Sequence, residues 1–325
     1  MATGHGFGKV ILFGEHFVVY GNPTIASGIS KRTVAELRPS KELDFGIIDK
    51  RPGREMGFYI IDKRPAAEGY IKKYEESQRK SVELMNKAVW HLDFDKTPVE
   101  VTLGGDLYCA SGVGASAASC VAMARAVSAH FNLNLTEEQI NLCGLEGDKA
   151  YAGTPSGIDN TCSTYGGLIY FQKNMSGGQN TMDKLALGRP LNILMVSTGI
   201  TTKTEEAVAG LKKRMGEEPD KFKAIFDEAK TIVMKARDAL ANGDTETVGK
   251  LMDRNHELLQ TSGVSHEKLD YLVDLCRKNG AIGTKMTGGG MGGYMVALFS
   301  CPNCRAKAEK ACEAEGYKYI SAEIG

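Results

Sequence analysis

The sequence has no long apolar run. Its most hydrophobic stretches, such as 294-YMVALF-299, are far shorter than the ~20 residues that a membrane-spanning helix needs. It has no basic block and no excess of either sign, since 40 Lys and Arg balance 40 Asp and Glu. Nucleic acids and anionic membranes are gripped by clustered positive charge, so neither is expected as the main partner. A phosphorylated small molecule stays open, because local loops rather than net charge bind it. The opening 1-MATGHGFGK-9 carries no apolar signal region, and export is not expected. Eight cysteines in 325 residues are too sparse for a disulfide scaffold. Cys109, Cys120, Cys143, Cys162 and Cys276 sit among apolar or small residues and read as reduced filler. The pair in 301-CPNC-304 lacks the second ligand pair of a zinc site.

What is present divides the chain in two, a length that suits two ordinary domains. The first hundred residues carry strand signals at 8-GKVILF-13, 24-TIASGI-29, 33-TVAEL-37, 57-GFYIID-62 and 98-PVEVTL-103, with a charged helix over about 74–91. A buried helix over 117–131 follows, and then 136-TEEQ-139, a capping box opening a helix to about 151. Gly, Asn and Pro cluster at 174-NMSGGQNTMDKLALGRP-190, which sets a domain boundary and predicts domains of 1–182 and 183–325. Beyond it the order is a strand (191–197), helices near 205–215, 220–242 and 245–261, and a helix from Ser265 to a glycine stop at Asn279-Gly280. The chain ends as strand (282–287), glycine loop (288–293), strand (294–299), helix (305–315) and strand (317–324). This order suits a helix-backed antiparallel sheet of ferredoxin-like type, within an α+β chain.

Three stretches carry chemistry. In 110-ASGVGASAAS-119, Gly112, Gly114 and Ala117 fit the G-x-G-x-x-A dinucleotide fingerprint, but the loop lies behind many strands. The acids about twenty positions on open a helix instead of ending a strand. No G-x-x-x-x-G-K-[ST] occurs. What remains is a glycine loop opening a helix whose free amides and dipole favour an anion, or, equally, a tight turn with small residues for packing. The second stretch is 153-GTPSGIDN-160, read as a loop that presents one carboxylate, Asp159. The third is 284-TKMTGGGMGGY-294, whose five glycines in six residues exceed what a hairpin needs and predict close approach to a ligand.

Together with 8-GKVILFGEHFVVYG-21, these stretches give the chain a resemblance to the GHMP kinases over nearly its whole length. In this resemblance 8–21 stands for the N-terminal motif, 112-GVGASAAS-119 for the phosphate loop and 287-TGGGMGG-293 for the C-terminal glycine motif. G-E-H followed by V-V-x-G, and later P-S-G-I-D-N, look most like the mevalonate-phosphorylating branch. The loop departs from the family's usual proline-led G-L-G-S-S-A: it lacks the prolines and has Ala115 for the first serine, while Ser116 keeps the second. The phosphates are held mainly by backbone amides, so Ala115 is expected to be tolerated.

The resemblance implies a two-domain fold, with an N-terminal domain like ribosomal S5 domain 2 and a ferredoxin-like C-terminal domain. It implies ATP-dependent transfer of the γ-phosphoryl group to the C5 hydroxyl of mevalonate, a step of isoprenoid and sterol precursor synthesis. ATP would lie on Ser111, Gly112, Val113, Gly114, Ala115 and Ser116. Asp159 would take the hydroxyl proton, with Lys9 beside both, where a cation stabilises the developing negative charge. Glu15, His16, Thr204 and Gly289 would contact mevalonate. Mg²⁺, which prefers oxygen ligands, would be held by Ser116 and an acid of 146-EGD-148. Two positions on a helix are about 200° apart, so Glu146 and Asp148 do not both face one ion. The family's usual Glu ligand favours Glu146 by residue type, whereas in the resembling branch the metal-binding acid follows a glycine and lies eleven residues before the catalytic Asp, as Asp148 follows Gly147 and precedes Asp159; Asp148 is the residue chosen. Competing readings are another enzyme of the family (phosphomevalonate kinase, a galactokinase-like kinase or diphosphomevalonate decarboxylase) and a non-enzymatic sensor. The sensor reading predicts loss of Lys9 or Asp159, and both are present. A cytoplasmic protein is expected, with a peroxisome-like organelle as the alternative, since 9-KVILFGEHF-17 has a basic residue separated from His16 by six residues. A homodimer is the candidate assembly.

Overall fold

The structure, a computed structural model, describes residues 1–40, 57–109, 112–178, 180–200 and 204–325. The chain forms two compact units. One comprises Met1–Gly8, Lys31–Ala110 and Gly114–Tyr165, the other Lys9–Ser30, Ser111–Val113 and Gly166–Gly325.

In the first unit, the second half of strand Pro23–Pro39 (β2) pairs antiparallel with Val99–Gly105 (β4), Leu37 opposite Val101. Phe58–Asp62 (β3) joins β4 in parallel. Alternation along β4 buries Val99, Val101 and Leu103, and against that face lies the helix Ala115–Phe131 (α2). Helix α2 is built almost wholly of small apolar residues, so it is buried on nearly every side and shows little amphipathic stripe. Its small side chains let neighbours come close. A Cβ on Gly4 or Gly6, in strand Ala2–Phe13 (β1), would meet α2 backbone oxygens at 2.3 and 2.2 Å. Helices Tyr70–Met85 (α1) and Glu137–Ala152 (α3) complete the core with Trp90, Phe94 and Phe58.

In the second unit, the first half of β2 pairs with Leu168–Gln172 (β5), which pairs with Thr181–Lys184 (β6). A separate antiparallel sheet runs in the order Tyr319–Ile324 (β10), Leu191–Ser197 (β7), Tyr294–Phe299 (β9), Gly283–Thr287 (β8). That order is ferredoxin-like, as the sequence predicts. Its backing helices are Thr204–Glu217 (α5), Pro219–Ala241 (α6), Thr245–Thr261 (α7), Glu267–Lys278 (α8) and Pro302–Ala314 (α9). Helix α7 lies directly on β8, where a Cβ on Gly283 would stand 2.3 Å from the Cα of Gly249. Cys301 and Cys304 are joined by a disulfide at the start of α9, and the other six cysteines are buried and form no disulfide. Among the described residues no helix is long and apolar enough to cross a membrane.

Three local expectations are corrected. The stretches 24–29 and 33–37 are one unbroken strand, β2. The charged helix starts earlier, at Tyr70, and closes in a π turn at Asn86–Trp90. The stretch around Asp159 is not all loop, because Ile158–Tyr165 (α4) is a helix. Five of its residues, Asn160 to Thr164, are small or polar yet buried, so no apolar period announces it. Gly157, at φ 93°, turns the chain into it.

The capping box is formed: Thr136 Oγ1 accepts from Gln139 N at 3.3 Å, and Gln139 Oε1 accepts from Thr136 N at 2.9 Å. Thr136→Ala leaves the Gln139 amide in the first turn of α3 without its side-chain acceptor, and unfolding by urea should show a loss of about 1 kcal/mol at unchanged m-value.

Candidate functional site

In the first unit the chain enters α2 through Gly114, whose φ of 70° is left-handed backbone that glycine adopts without strain. The Ser116 hydroxyl, one residue into α2, donates to Asp148 Oδ1 at 2.7 Å. This approach depends on the residue before the acid: a Cβ on Gly147 would lie 2.7 Å from Cys120 Sγ, so only glycine lets α3 settle this close to α2. Asp148 is 2% exposed, whereas Glu146 turns outward to Lys149 Nζ at 2.6 Å. Asp159, half-buried, stands in the first turn of α4, where the free amides and dipole favour a carboxylate. Asn160 ties α4 to α3 through Asn141 Oδ1 at 2.7 Å.

A buried network that sequence reading missed backs the loop. Arg64 Nη1 donates to the Ala115 carbonyl at 3.0 Å, while Nε and Nη2 hold Asp62 at 2.9 and 2.6 Å, and Gln78 donates to the same carboxylate at 3.0 Å. Burial opposes the Asp62 charge, but the bonds and charge of Arg64 outweigh it and hold this carboxyl below its ordinary range. A cavity of about 530 Å³ opens beside Arg64, lined also by Ala66, Gly69, Ile71 and Lys72. The signal for Arg64 lay in D-K-R after a strand, which reads as surface until burial is known.

In the second unit, Lys9 is 4% exposed near the end of β1, and its backbone N–H donates to the Val113 carbonyl at 2.8 Å. The Ile11 N–H donates to Thr287 Oγ1 at 3.1 Å, and that hydroxyl donates to the Ile11 carbonyl at 2.9 Å, so one side chain pins β1 to β8. The glycine loop then runs through left-handed backbone at Gly288, Gly290, Met291, Gly292 and Gly293. A Cβ on Gly288 would come 3.8 Å from Gly112 Cα, and one on Gly290 would strike the Val264 carbonyl at 2.1 Å. Gly112 has φ 97°, and Val113 is fully buried. The structure therefore gathers Lys9, Gly112, Val113, Glu15, His16 and Gly289 in one unit, and Gly114, Ala115, Ser116, Asp148 and Asp159 in the other. Ser111 lies outside the described residues, and Thr204 opens α5 with its side chain outside them.

Glu15 and His16 are both buried. Glu15 accepts from Lys285 Nζ, which also donates to the Met286 carbonyl at 2.5 Å, and Asn255 Nδ2 lies 3.4 Å from Glu15 Oε2. His16 has φ 61°, and neither ring nitrogen finds a well-aligned hydrogen bond. Burial pulls its pKa down to about 4; the nearby Gly289 carbonyl opposes this, and the charges of Lys285 and Arg214 add to it. His256 follows the same course, to about 4 by burial with Asp270 opposing, and its Nδ1 accepts from Met286 N at 3.3 Å.

The model of the N-terminal domain of GHMP kinases matches residues 81–167, and that of their C-terminal domain matches 236–318. Mevalonate kinase of Pyrococcus furiosus is 35% identical over 97% of this chain and 94% of its own length. This chain belongs to the GHMP kinase family. Among solved GHMP kinase structures, L. major mevalonate kinase in complex with R-mevalonate superposes with a TM-score of 0.90 at 36% identity, covering 100% of this chain and 96% of that one. Lactococcus lactis galactokinase complexed with galactose, at 20% identity and a TM-score of 0.70 over 99% and 94%, shares the fold. The GHMP kinase fold is thus the α+β fold that the motifs imply.

Two buried neutral histidines make this GHMP kinase sensitive to acid. Their folded pKa of about 4 lies below the ordinary 6.5, so below pH 6.5 the unfolded chain binds protons that the folded chain refuses. Stability is undiminished by this effect above pH 6.5 and falls as pH drops toward about 4. Thermal melts across this window should show a declining Tm whose slope flattens in His256→Asn; an unchanged slope in that variant would refute the assignment.

Proposed function

We propose that this GHMP kinase transfers the γ-phosphoryl group of ATP to the C5 hydroxyl of mevalonate, giving 5-phosphomevalonate and ADP. The observation that carries the reading is near-full-length similarity, at 35–36% identity, to mevalonate kinases, including one with R-mevalonate bound. The division into halves of 1–182 and 183–325 is part of the proposal, and one family match falls within each.

Phosphoryl transfer demands an in-line oxygen, neutralised phosphates and little covalent help. Backbone amides of 112–116 at the head of α2 suit the phosphates, where the helix dipole favours anions. Arg64 holds the first carbonyl of α2 and so keeps those amides facing outward. Asp159 receives the proton of the attacking hydroxyl, and Lys9 stabilises the oxygen that loses it. The hydroxyl of Ser116 and the carboxylate of Asp148, 2.7 Å apart, fit a hard cation that keeps its remaining sites for phosphate oxygens and water. Mg²⁺ bound there would neutralise phosphate charge. His16 and Gly289 lie beside the acceptor, in keeping with the ring nitrogens of His16, which have no well-aligned hydrogen bond within the chain.

An ATP-consumption assay offering mevalonate, phosphomevalonate, galactose and homoserine tests the proposal. Turnover only with mevalonate is expected, and preference for another acceptor moves the enzyme to that branch. Asp159→Asn keeps the shape but cannot take the proton, so kcat should fall by about 10²- to 10⁴-fold with ATP binding nearly intact. Retention of most wild-type kcat would remove Asp159 from the role.

The two acids of α3 separate in a Mg²⁺ titration. Asp148→Ala should raise the Mg²⁺ concentration needed for half-maximal rate and lower kcat, while Glu146→Ala, which loses only a surface pair, should do neither. The reverse pattern would transfer the metal to Glu146.

A further inference from the structure

Four polar side chains with almost no access to water meet in the second unit: Glu15, His16, Asn255 and Lys285. Burial pushes the Glu15 carboxyl up and the Lys285 ammonium down, and each is countered by the other's charge. Such a pair contributes little net stability, but either member alone would be a buried, unpaired charge. Its placement has a consequence for the adjoining residue. His16 follows Glu15 directly, adopts a left-handed φ of 61° that side chains disfavour, and keeps both ring nitrogens buried without a well-aligned hydrogen bond, with the Gly289 carbonyl nearby. An unsatisfied buried imidazole adds nothing to folding. A neutral ring with one donor and one acceptor nitrogen does match a dihydroxy acid, whose hydroxyls and carboxylate offer both.

We propose that Lys285 is a positioning residue of the acceptor site: by holding Glu15 it fixes the Gly14–His16 turn and keeps the open imidazole of His16 directed at the acceptor. Glu15 then acts through His16 and does not touch substrate itself. Asn255, reaching the other carboxylate oxygen, is the auxiliary clamp. Helix α7, packed on β8 where Gly249 meets Gly283, carries Asn255 to the Glu15 carboxylate that Lys285 of β8 also holds. This inference rests on mevalonate being the acceptor.

Steady-state kinetics on the full chain provide the test. Wild type is first assayed with the acceptor panel, which checks the acceptor separately; if another acceptor is used, the same comparison is made with it. Lys285→Met should raise the acceptor KM by about tenfold while the ATP KM stays within about twofold. Since Lys285→Met strands a buried carboxylate, the double variant Glu15→Gln/Lys285→Met carries the same expectation in a chain with neither charge, and it decides the matter if the single variant does not fold. His16→Gln should raise the acceptor KM similarly, and adding it to the double variant should bring no further rise, because the residues act in series. An unchanged acceptor KM in the folded double variant, equal rises for ATP and acceptor, or additive effects with His16→Gln would each overturn the proposal.

Discussion

A lysine ammonium and a glutamate carboxylate, neither reached by water, hold together the part of the second unit where three motifs meet. Glu15 belongs to the N-terminal motif, and Lys285 stands two residues before the threonine that opens the C-terminal glycine motif. With Thr287 bonding both backbone groups of Ile11, the end of β1 is fixed to β8 at two points. The Lys9 amide on the Val113 carbonyl fixes the same strand to the phosphate loop. Hydrophobic packing alone leaves such elements free to slide by fractions of an ångström, since apolar contact is not directional. Buried polar bonds are directional, and their loss leaves desolvated groups behind. The second unit thus places directional bonds where displacement would misalign the loops, and oily contact elsewhere.

The first unit reaches a comparable definition by a different route. Here the device is smallness: alanines along α2, with Gly4, Gly6, Gly144 and Gly147 on the neighbours that press against it. Close backbone approach fixes the distance between α2 and α3, which in turn sets Ser116 against Asp148. Interiors are packed so densely that a single added methyl group must displace something. Gly147 illustrates why the acid's position follows from its neighbour: the face of α3 that carries glycine is turned to Cys120, and the next residue comes round toward the head of α2.

The motifs were legible because each is local. A glycine loop, a G-E-H turn and a capping box lie within a dozen residues and carry their geometry in residue type. Strand β7 and helices α6, α7 and α8 were legible from period and punctuation. What escaped depended on contacts distant in sequence. Helix α4 has polar residues facing inward, so its burial and its partner Asn141 cannot be inferred from pattern. Strands β5 and β6 flank the glycine-rich stretch and are short. The partner of Glu15 lies 270 residues away, and a lysine in a strand reads as a surface residue. Arg64 escaped likewise, since the charged run Asp62, Lys63 and Arg64 at the end of β3 suggests solvent, not a clamp under the head of α2.

The alanine in place of the family's usual first serine is accounted for by the same distinction between backbone and side chain. Ala115 is 2% exposed, so its methyl group faces protein, and its carbonyl is occupied by Arg64. A serine here would bring a hydroxyl into that packed surrounding, where it would need a partner. The next residue is different: Ser116 directs its hydroxyl to the Asp148 carboxylate, and an alanine there would leave one oxygen fewer beside the acid. In the proposed site the loop would therefore use backbone at 112–115 and a side chain only at 116. Substitution is cheap where geometry is held by glycine torsions and by Arg64, and costly where an oxygen atom is itself the functional group.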